Sequence, residues 1–491
     1  MTNLVFFGGI NEIGGNKILV MSKNGNSTLL DFGLSFATMK KYYDTFTHPR
    51  STCPLNDSIQ LGLLPSPCNE ISHLYRNDLD AVQIIDAGAN ADSLRVKDVF
   101  LSHAHLDHIH DVKFLNRNIK LACSAVTKIV LEQVQENSRM GAQILSYNSN
   151  RPVDGQLTSQ IRRDWQPGDV GEQFPLAGGD FRCSMHYVDH SLPGATGIIL
   201  TEENTNIRIV YTGDIRLHGR MNRESQDFVD FAAETRPDVL IIEGTRLSPG
   251  GDLELANEQE VENRISQILT ANSGKLVLFG CSGNDLARLT SFYNATLKVH
   301  RTLVVDYKTY ALWKRLYTIH PYNINLLKLK VYLPRKGEGD YVDEDYQGNR
   351  SLRKLIRDPS MSITLIKAEV IRAHPENFLV YLPRWQVNEL LDIQPSPGFV
   401  YIWSQSDPFD LEGDIAEEKF NAWMEKFRGE VEKVHCSGHA RPPDLATMVN
   451  KIHPRTLIPV HTTVPRAWET IGLDKDIRIK YPLLSRSIKI G

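Results

Sequence analysis

No stretch of this 491-residue chain approaches the roughly 18 consecutive apolar residues that a membrane-spanning helix requires, so no membrane partner is expected. The N-terminal run Met1-Thr2-Asn3-Leu4-Val5-Phe6-Phe7-Gly8-Gly9 has no basic segment ahead of an apolar one. It reads as a short strand entering a glycine turn, not as a signal peptide. Cysteine is sparse: the six, at 53, 68, 123, 183, 281 and 436, show no CxxC spacing. That fits a reducing compartment better than a disulfide framework, and cytoplasmic residence is the expectation. There is no global excess of positive charge either, since the formal net charge is −4. Residues 301–360 nevertheless hold twelve Lys/Arg against seven Asp/Glu. Charge alone does not separate a solvated helix face from a phosphate-binding surface there. Internal repeats, heptads and long low-complexity linkers are missing as well.

What is present is an ordinary soluble composition, 41% hydrophobic and 23% charged, on a chain long enough for two to four domains. The first 120 residues alternate β-rich runs with glycine turns, at Leu4–Phe7, Lys17–Met21, Thr28–Phe32, Val82–Asp86 and Val99–Leu101. An amphipathic helix is predicted over Thr127–Glu136, and further strands at Ile198–Thr201, Ile207–Tyr211 and Val239–Ile242. From about 255 to 430 the pattern shifts. Helices at Asn257–Ala271, Gly283–Leu297 and Tyr310–Leu316 alternate with buried strands at Lys275–Phe279 and Leu303–Val305, which suggests a βαβ-type domain. Short strands return near the end, including Thr456–Val460. The Pro-, Asn-, Asp- and Ser-rich span from Met39 to Leu79 is long for a loop, and suits a lid or substrate wall.

One hexapeptide carries most of the chemistry. His103-Ala104-His105-Leu106-Asp107-His108 places three imidazoles and a carboxylate directly after the apolar run Val99-Phe100-Leu101. This nitrogen and oxygen donor set suits a borderline cation such as zinc. On an extended chain His103, His105 and Asp107 share one side, leaving His108 to turn towards a second centre. Six residues cannot fill two coordination spheres. His190 (Asp189-His190-Ser191-Leu192-Pro193-Gly194), Asp214 (Tyr211-Thr212-Gly213-Asp214) and His461 (after Leu457-Ile458-Pro459-Val460) stand at the ends of predicted strands and are the candidates to complete them.

With these motifs the chain resembles the metallo-β-lactamase superfamily, and within it the β-CASP nucleases of the ribonuclease J type. The resemblance extends over nearly the whole chain. It includes Gly8-Gly9-Ile10-Asn11-Glu12-Ile13-Gly14-Gly15-Asn16, Leu30-Asp31-Phe32-Gly33, the metal loop, His190-Ser191-Leu192-Pro193 and Thr212-Gly213-Asp214. Three β-CASP motifs have counterparts in Glu243, in His439 of Ser437-Gly438-His439-Ala440, and in His461. The resemblance implies an α/β fold: a four-layer αββα sandwich (1–250 and 430–491) with an inserted α/β β-CASP domain (251–429). It also implies two zinc ions, with manganese as the alternative. His103, His105 and His190 would hold one ion, Asp107, His108 and His461 the other, and Asp214 would bridge them. His110 and His186 have no family role and read as structural or as supports behind the ligands. Departures are few. Gly194 stands where an acidic residue is usual, His110-Asp111 replaces small residues after the metal loop, and the ribonuclease J C-terminal domain is not seen, which leaves dimerisation through it in doubt.

The implied activity is zinc-dependent cleavage of single-stranded RNA in preference to DNA, 5′-to-3′ and exonucleolytic, with endonuclease activity in addition. Asp107 would orient the nucleophile or take its proton. His439 would stabilise developing charge or protonate the leaving oxygen, and Glu243 would hydrogen-bond a histidine and fix its tautomer. Ser282, at the start of a predicted helix, and Ser404 are candidates for holding substrate phosphate. Each is equally readable as a helix cap or strand end. Trp385 and Trp403 could stack bases, although core packing is the stronger expectation. The alternatives are a DNA-processing nuclease of the same fold, a non-catalytic RNA-binding scaffold, and, disfavoured by the size of the insertion, a small thioester or lactam hydrolase.

Overall fold

Strand runs such as Ser27–Phe32 and Val239–Glu243 are buried at every position, which requires cover on both faces of the sheets they belong to. A computed structural model, describing residues 1–44, 46–79, 94–137, 143–149, 160–247, 255–317, 324–357, 363–406 and 411–491, shows how that cover is supplied. The chain forms two units: Met1–Leu217, Met221–Gly250 and His439–Gly491 make up the first, His218–Arg220 and Gly251–Gly438 the second.

Two seven-stranded sheets form the centre of the first unit among the described residues. One runs in the order Ser487–Ile490, Thr2–Gly8, Lys17–Met21, Ser27–Phe32, Val96–Phe100, Lys120–Cys123, Trp165–Pro167. The other runs Arg478–Ile479, Thr456–Val460, Val239–Glu243, Arg208–Tyr211, Thr196–Glu202, Phe181–Tyr187, Gln173–Pro175. Phe6, Ile18, Leu30 and Phe100 from the first sheet meet Met185, Ile198, Tyr211, Ile241 and Ile458 from the second in one apolar layer. Alternation along each strand sends the neighbouring residues outwards. Ile199, Val210, Leu240 and Ile242 pack against helices Asn222–Thr235 and Pro442–Ile452, and Leu19, Leu29, Val99 and Leu121 are buried on the far side of the first sheet. The result is the expected αββα sandwich.

Most strands and helices anticipated from the sequence are present within a few residues of their expected ends; the strand expected at Val82–Asp86 lies outside the described residues. The span from Met39 to Leu79 differs from a loose lid. It carries helix Pro54–Gln60, buries Leu55, Ile59, Leu64, Ile71 and Leu74, and is tied down where Arg76 N donates to Phe114 O at 2.9 Å. A buried Arg76–Asp78 ion pair at 2.6 Å adds to this anchor.

Among the described residues the second unit has a wholly parallel seven-stranded sheet, in the order Thr364–Ile366, Lys330–Tyr332, Thr302–Val305, Phe378–Tyr381, Leu276–Gly280, Phe399–Trp403, Gly429–Lys433. Parallel pairing needs crossovers, and the alternating helices supply them. Helices Glu258–Ala271 and Leu286–Lys298 are joined by a buried ion pair, Arg288 to Glu258 at 2.9 Å. Among the described residues no helix is long and apolar enough to cross a membrane.

Ile241 is fully buried in the layer between the two sheets of the first unit. Ile241→Ala is expected to destabilise that unit by about 2–5 kcal/mol, read as a lower midpoint in urea unfolding.

Candidate metal centre

Asp31, His103, Asp214, Glu243 and His461 all follow, or end, strands that run in the same sense within their own sheet. Val96–Phe100 pairs parallel to Ser27–Phe32, while Thr456–Val460, Val239–Glu243 and Arg208–Tyr211 are parallel neighbours. Phe181–Tyr187 is antiparallel to Thr196–Glu202, which is antiparallel to Arg208–Tyr211, so His190 also leaves a carboxyl end. Carboxyl ends of strands are where α/β sheets collect their ligands.

Asp214 is the hub. Its Oδ2 lies 3.5 Å from His103 Nε2, 3.3 Å from His108 Nε2 and 3.7 Å from His190 Nε2, while Oδ1 lies 3.7 Å from His461 Nε2. His105 Nδ1 is 2.9 Å from His103 Nε2 and 3.1 Å from His190 Nε2. Asp107 Oδ2 sits 3.2 Å from His461 Nε2 and 3.8 Å from His108 Nε2. Two donor groups result, each compact enough to hold a metal ion: His103, His105, His190 and Asp214; and Asp107, His108 and His461. A third trio joins Asp214 to Glu243 and His439.

Asp107 corrects one detail of the extended-chain expectation. The backbone coils into a helical turn over Leu106–Ile109, which carries Asp107 away from His103 and His105 and into the group with His108 and His461. Glycine makes room for this turn. A Cβ at Gly14 would sit 2.5 Å from Asp107 Oδ2, and one at Gly33 would overlap the Asp107 carbonyl.

The donor set fits a cation on chemical grounds. His108 Nε2 and Asp214 Oδ1 are buried without a hydrogen-bond partner, although a buried polar atom ordinarily has one. Burial pushes the His103 imidazolium well down, and His105 down to about 4, so both rings are neutral at pH 7, as metal ligation requires. Against the same burial, Asp214 and Asp31 push His108 well up, and Asp214 and Asp107 raise His461. Burial opposes ionisation of Asp214, yet His461 and His108 hold it well below the usual carboxylate range. Positive charge is thus drawn to the carboxylates even from imidazoles.

Behind the donors, hydrogen bonds fix the rings. Asp31 Oδ1 accepts from Ser102 N at 2.7 Å; its Oδ2 accepts from Ser102 Oγ at 2.8 Å and Tyr211 OH at 2.6 Å, and lies 2.7 Å from His108 Nδ1. Asn16 Nδ2 donates to the Tyr211 hydroxyl at 3.0 Å. Ser102 Oγ lies 3.0 Å from His103 Nδ1, and Thr245 Oγ1 2.8 Å from His461 Nδ1. In all three rings Nδ1 is occupied and Nε2 faces the cluster, the arrangement that sets tautomer and orientation.

His439 stands beside the hub, its Nδ1 4.0 Å from Asp214 Oδ2 and 2.9 and 3.0 Å from the two Glu243 oxygens. Glu243 in turn accepts from Ile215 N at 3.0 Å and Thr245 N at 3.2 Å. Burial resists charging His439, but Glu243 and Asp214 raise it to about 9. A buried Arg216–Asp189 pair at 2.8 Å braces the segment before His190.

Both serines lie in the second unit. Ser404 is 3% exposed; its hydroxyl donates to Val434 O at 2.6 Å and accepts from Arg288 Nη1 at 2.7 Å. That geometry does not fit the expected phosphate contact, because the hydroxyl is committed inside the unit. Ser282 is exposed, but the helix begins at Leu286 under an Asp285 cap, not at Gly283. A carboxylate therefore occupies the helix terminus on which the phosphate expectation rested. Trp403 packs against Phe420, whereas Trp385 is 63% exposed. His110 lies 2.8 Å from Asp111 Oδ1, and His186 packs on Phe231.

Comparison with known proteins agrees with this geometry. Residues 85–262 match the beta-lactamase superfamily domain, and residues 425–467 match the Zn-dependent metallo-hydrolase RNA specificity domain. Ribonuclease J of Mycoplasma genitalium is 23% identical over 94% of this chain and 68% of its own length; that of Mycoplasma pneumoniae is 22% identical over the same shares. Residues 85–262 thus carry a beta-lactamase superfamily domain, and the chain is ribonuclease J-like along nearly its whole length. A crystal structure of a protein of unknown function from Enterococcus faecalis shares the fold, with a TM-score of 0.74 over 99% of both chains at 21% identity.

Superfamily motifs also explain what sequence reasoning left without a role. Asn16, Asp31, Ser102, Tyr211 and Thr245 each lie within or next to a motif already singled out, and their neighbours in the motif were the available signal. Asp31→Asn would remove a negative acceptor serving three donors and His108. It is expected to lower divalent-metal affinity about 10–100-fold, measured by zinc competition with a chromophoric chelator.

Proposed function

We propose that this protein is a metal-dependent phosphodiesterase acting on single-stranded RNA in preference to DNA, as a 5′-to-3′ exonuclease with additional endonuclease activity. The observation that carries this reading is the gathering of six His and Asp side chains around Asp214, in a chain that matches an RNA specificity domain of metallo-hydrolases. Relatives named ribonuclease J in two Mycoplasma species support RNA as the substrate class. In this reading His103, His105 and His190 hold one cation and Asp107, His108 and His461 the other, with Asp214 serving both. Zinc is the proposed metal and manganese the alternative.

Two such ions, when bound, supply an acidic water as nucleophile at neutral pH and offset charge on the phosphoryl oxygens. The remaining tasks fall to the chain. Asp107, 16% exposed at its side chain, is placed to orient the attacking oxygen or take its proton. His439 is 21% exposed at its side chain and held as a cation by Glu243, so it can stabilise the developing charge or protonate the leaving oxygen. Glu243 acts through His439: both carboxylate oxygens fix the ring, and two backbone N–H groups fix the carboxylate. Exposed Ser282 remains a proposed phosphate contact from its loop, and exposed Trp385 a proposed stacking surface for a base.

His439→Ala should leave two equivalents of metal in place while reducing turnover about 10²–10⁴-fold. Metal content by mass spectrometry and cleavage of 5′-phosphorylated RNA labelled at either end test this together. Loss of metal along with activity would make His439 a ligand. Matched DNA strands cut as fast as RNA would favour the DNA-processing alternative, and wild-type protein with metal but no cleavage would favour an RNA-binding scaffold.

A further inference from the structure

Beneath the turn that carries Asp107 and His108 lies a buried charge pair that the proposed chemistry does not use. Lys17 opens the strand Lys17–Met21, and its side chain is 1% exposed. Its ammonium lies 3.0 Å from Asp111 Oδ2, as an ion pair and not an aligned hydrogen bond, and donates to the Gly33 carbonyl. The second Asp111 oxygen lies 2.8 Å from His110 Nδ1, and His110 Nε2 lies 3.0 Å from Lys113 Nζ. A line of alternating polar groups thus runs under the metal loop, from strand Lys17–Met21 to the helical turn His110–Phe114.

We propose that Lys17 and Asp111 form a positioning clamp for the loop bearing Asp107 and His108, and so set the affinity of that donor group for a divalent cation. The proposal rests on reading the loop as metal-binding. The turn Leu106–Ile109 spans only four residues, far too few to be stable as a helix alone. Its start is gripped by backbone: Gly15 N and Asn16 N donate to Asp107 O at 3.0 and 3.2 Å, and Leu34 N donates to Leu106 O at 3.1 Å. Its end is gripped by Lys17 through Asp111. The same ammonium holds Gly33, whose Cα packs on the Asp107 carbonyl. One cation therefore ties together both backbone segments between which Asp107 and His108 project.

A buried ion pair is weak grounds for stability, since apolar side chains of similar volume often serve as well or better. What it supplies here is direction. Lys17→Met and Asp111→Asn each leave a buried group without its partner, whereas the double variant Lys17→Met/Asp111→Leu removes both charges. The full-length variants, stripped of metal, are titrated with cobalt and with zinc against a chromophoric chelator, and thermal melting is recorded alongside. The wild-type chain is expected to take up two equivalents. The single variants should melt earlier and bind one of the two equivalents about 10–100-fold more weakly. The double variant should recover the melting temperature while keeping the weakened equivalent and an altered cobalt absorption spectrum. If a single variant does not fold, the double variant decides. Unchanged affinity for both equivalents in every folded variant would overturn the clamp alone. A wild-type chain that takes up no cation would overturn the metal-loop reading and the clamp with it.

Discussion

Burying a carboxylate such as Asp214 costs several kcal/mol unless positive charge compensates it, and most of the geometry at these strand ends follows from that requirement. Asp214 is 2% exposed, Asp31 0% and Glu243 1%. The nearest side chains are imidazoles, whose charge is optional. They divide accordingly. Burial drives His103 and His105 neutral, whereas at His108, His439 and His461 the neighbouring carboxylates overcome the same burial and drive the rings towards the cation. A divalent ion would satisfy the carboxylates more directly, and the rings that ligate it would be neutral. The arrangement makes electrostatic sense as a cation site and little sense as a packed core.

Backbone conformation at the same place carries a second cost. Asp31, Gly213 and His461 all have positive φ, at 56°, 56° and 53°, a region that costs an L residue about 1–2 kcal/mol. Aspartate tolerates it better than most residues. In Asp31 the left-handed turn brings one carboxylate to Ser102, Tyr211 and His108 together. At Gly213 a Cβ would meet Ser102 Cβ at 2.8 Å, so the strand end after Tyr211 can approach the metal loop only without a side chain. His461 is likewise of a residue type enriched in this region. Its strain is held by Gly9 O, which accepts from His461 N at 2.8 Å, and by Thr245. Strain of this kind persists where surrounding contacts over-determine it, and here they do.

Much of this was legible in the sequence because local signals and tertiary demands agree. Lys17–Met21 and Thr456–Val460 are strands with the ends their apolar runs suggest, and the hexapeptide at 103–108 announces its chemistry by density of donors alone. Other features were not legible. Strands Phe378–Tyr381 and Phe399–Trp403 are short and apolar on both faces, so no alternation marks them off from buried helix. The turn at Leu106–Ile109 overrides the extended reading because Gly14 and Gly33 leave it space, which only the assembled sheets reveal. Ser404 looked like a phosphate contact at a strand end, yet Arg288, 116 residues away in sequence, claims its hydroxyl. The Lys17–Asp111 pair is invisible for the same reason. Neither residue is unusual in its own neighbourhood, and only the fold shows them buried together.

Cation binding and folding are coupled by where the donors lie in the chain. His103 and His461 are separated by more than 350 positions, and the segments between them include the whole second unit. An ion held by Asp107, His108 and His461 would close that long loop in the folded state, and would have no comparable site in the unfolded one. Its stabilisation follows mass action, about 4 kcal/mol when free metal stands a thousandfold above the dissociation constant. The strand Thr456–Val460 reaches this position by pairing parallel with Val239–Glu243, a contact of high sequence separation whose closure is costly in chain entropy. The metal centre therefore lies where the most distant parts of the first unit must meet, and the charge that makes the site costly to bury is also what a bound cation would use to hold that meeting together.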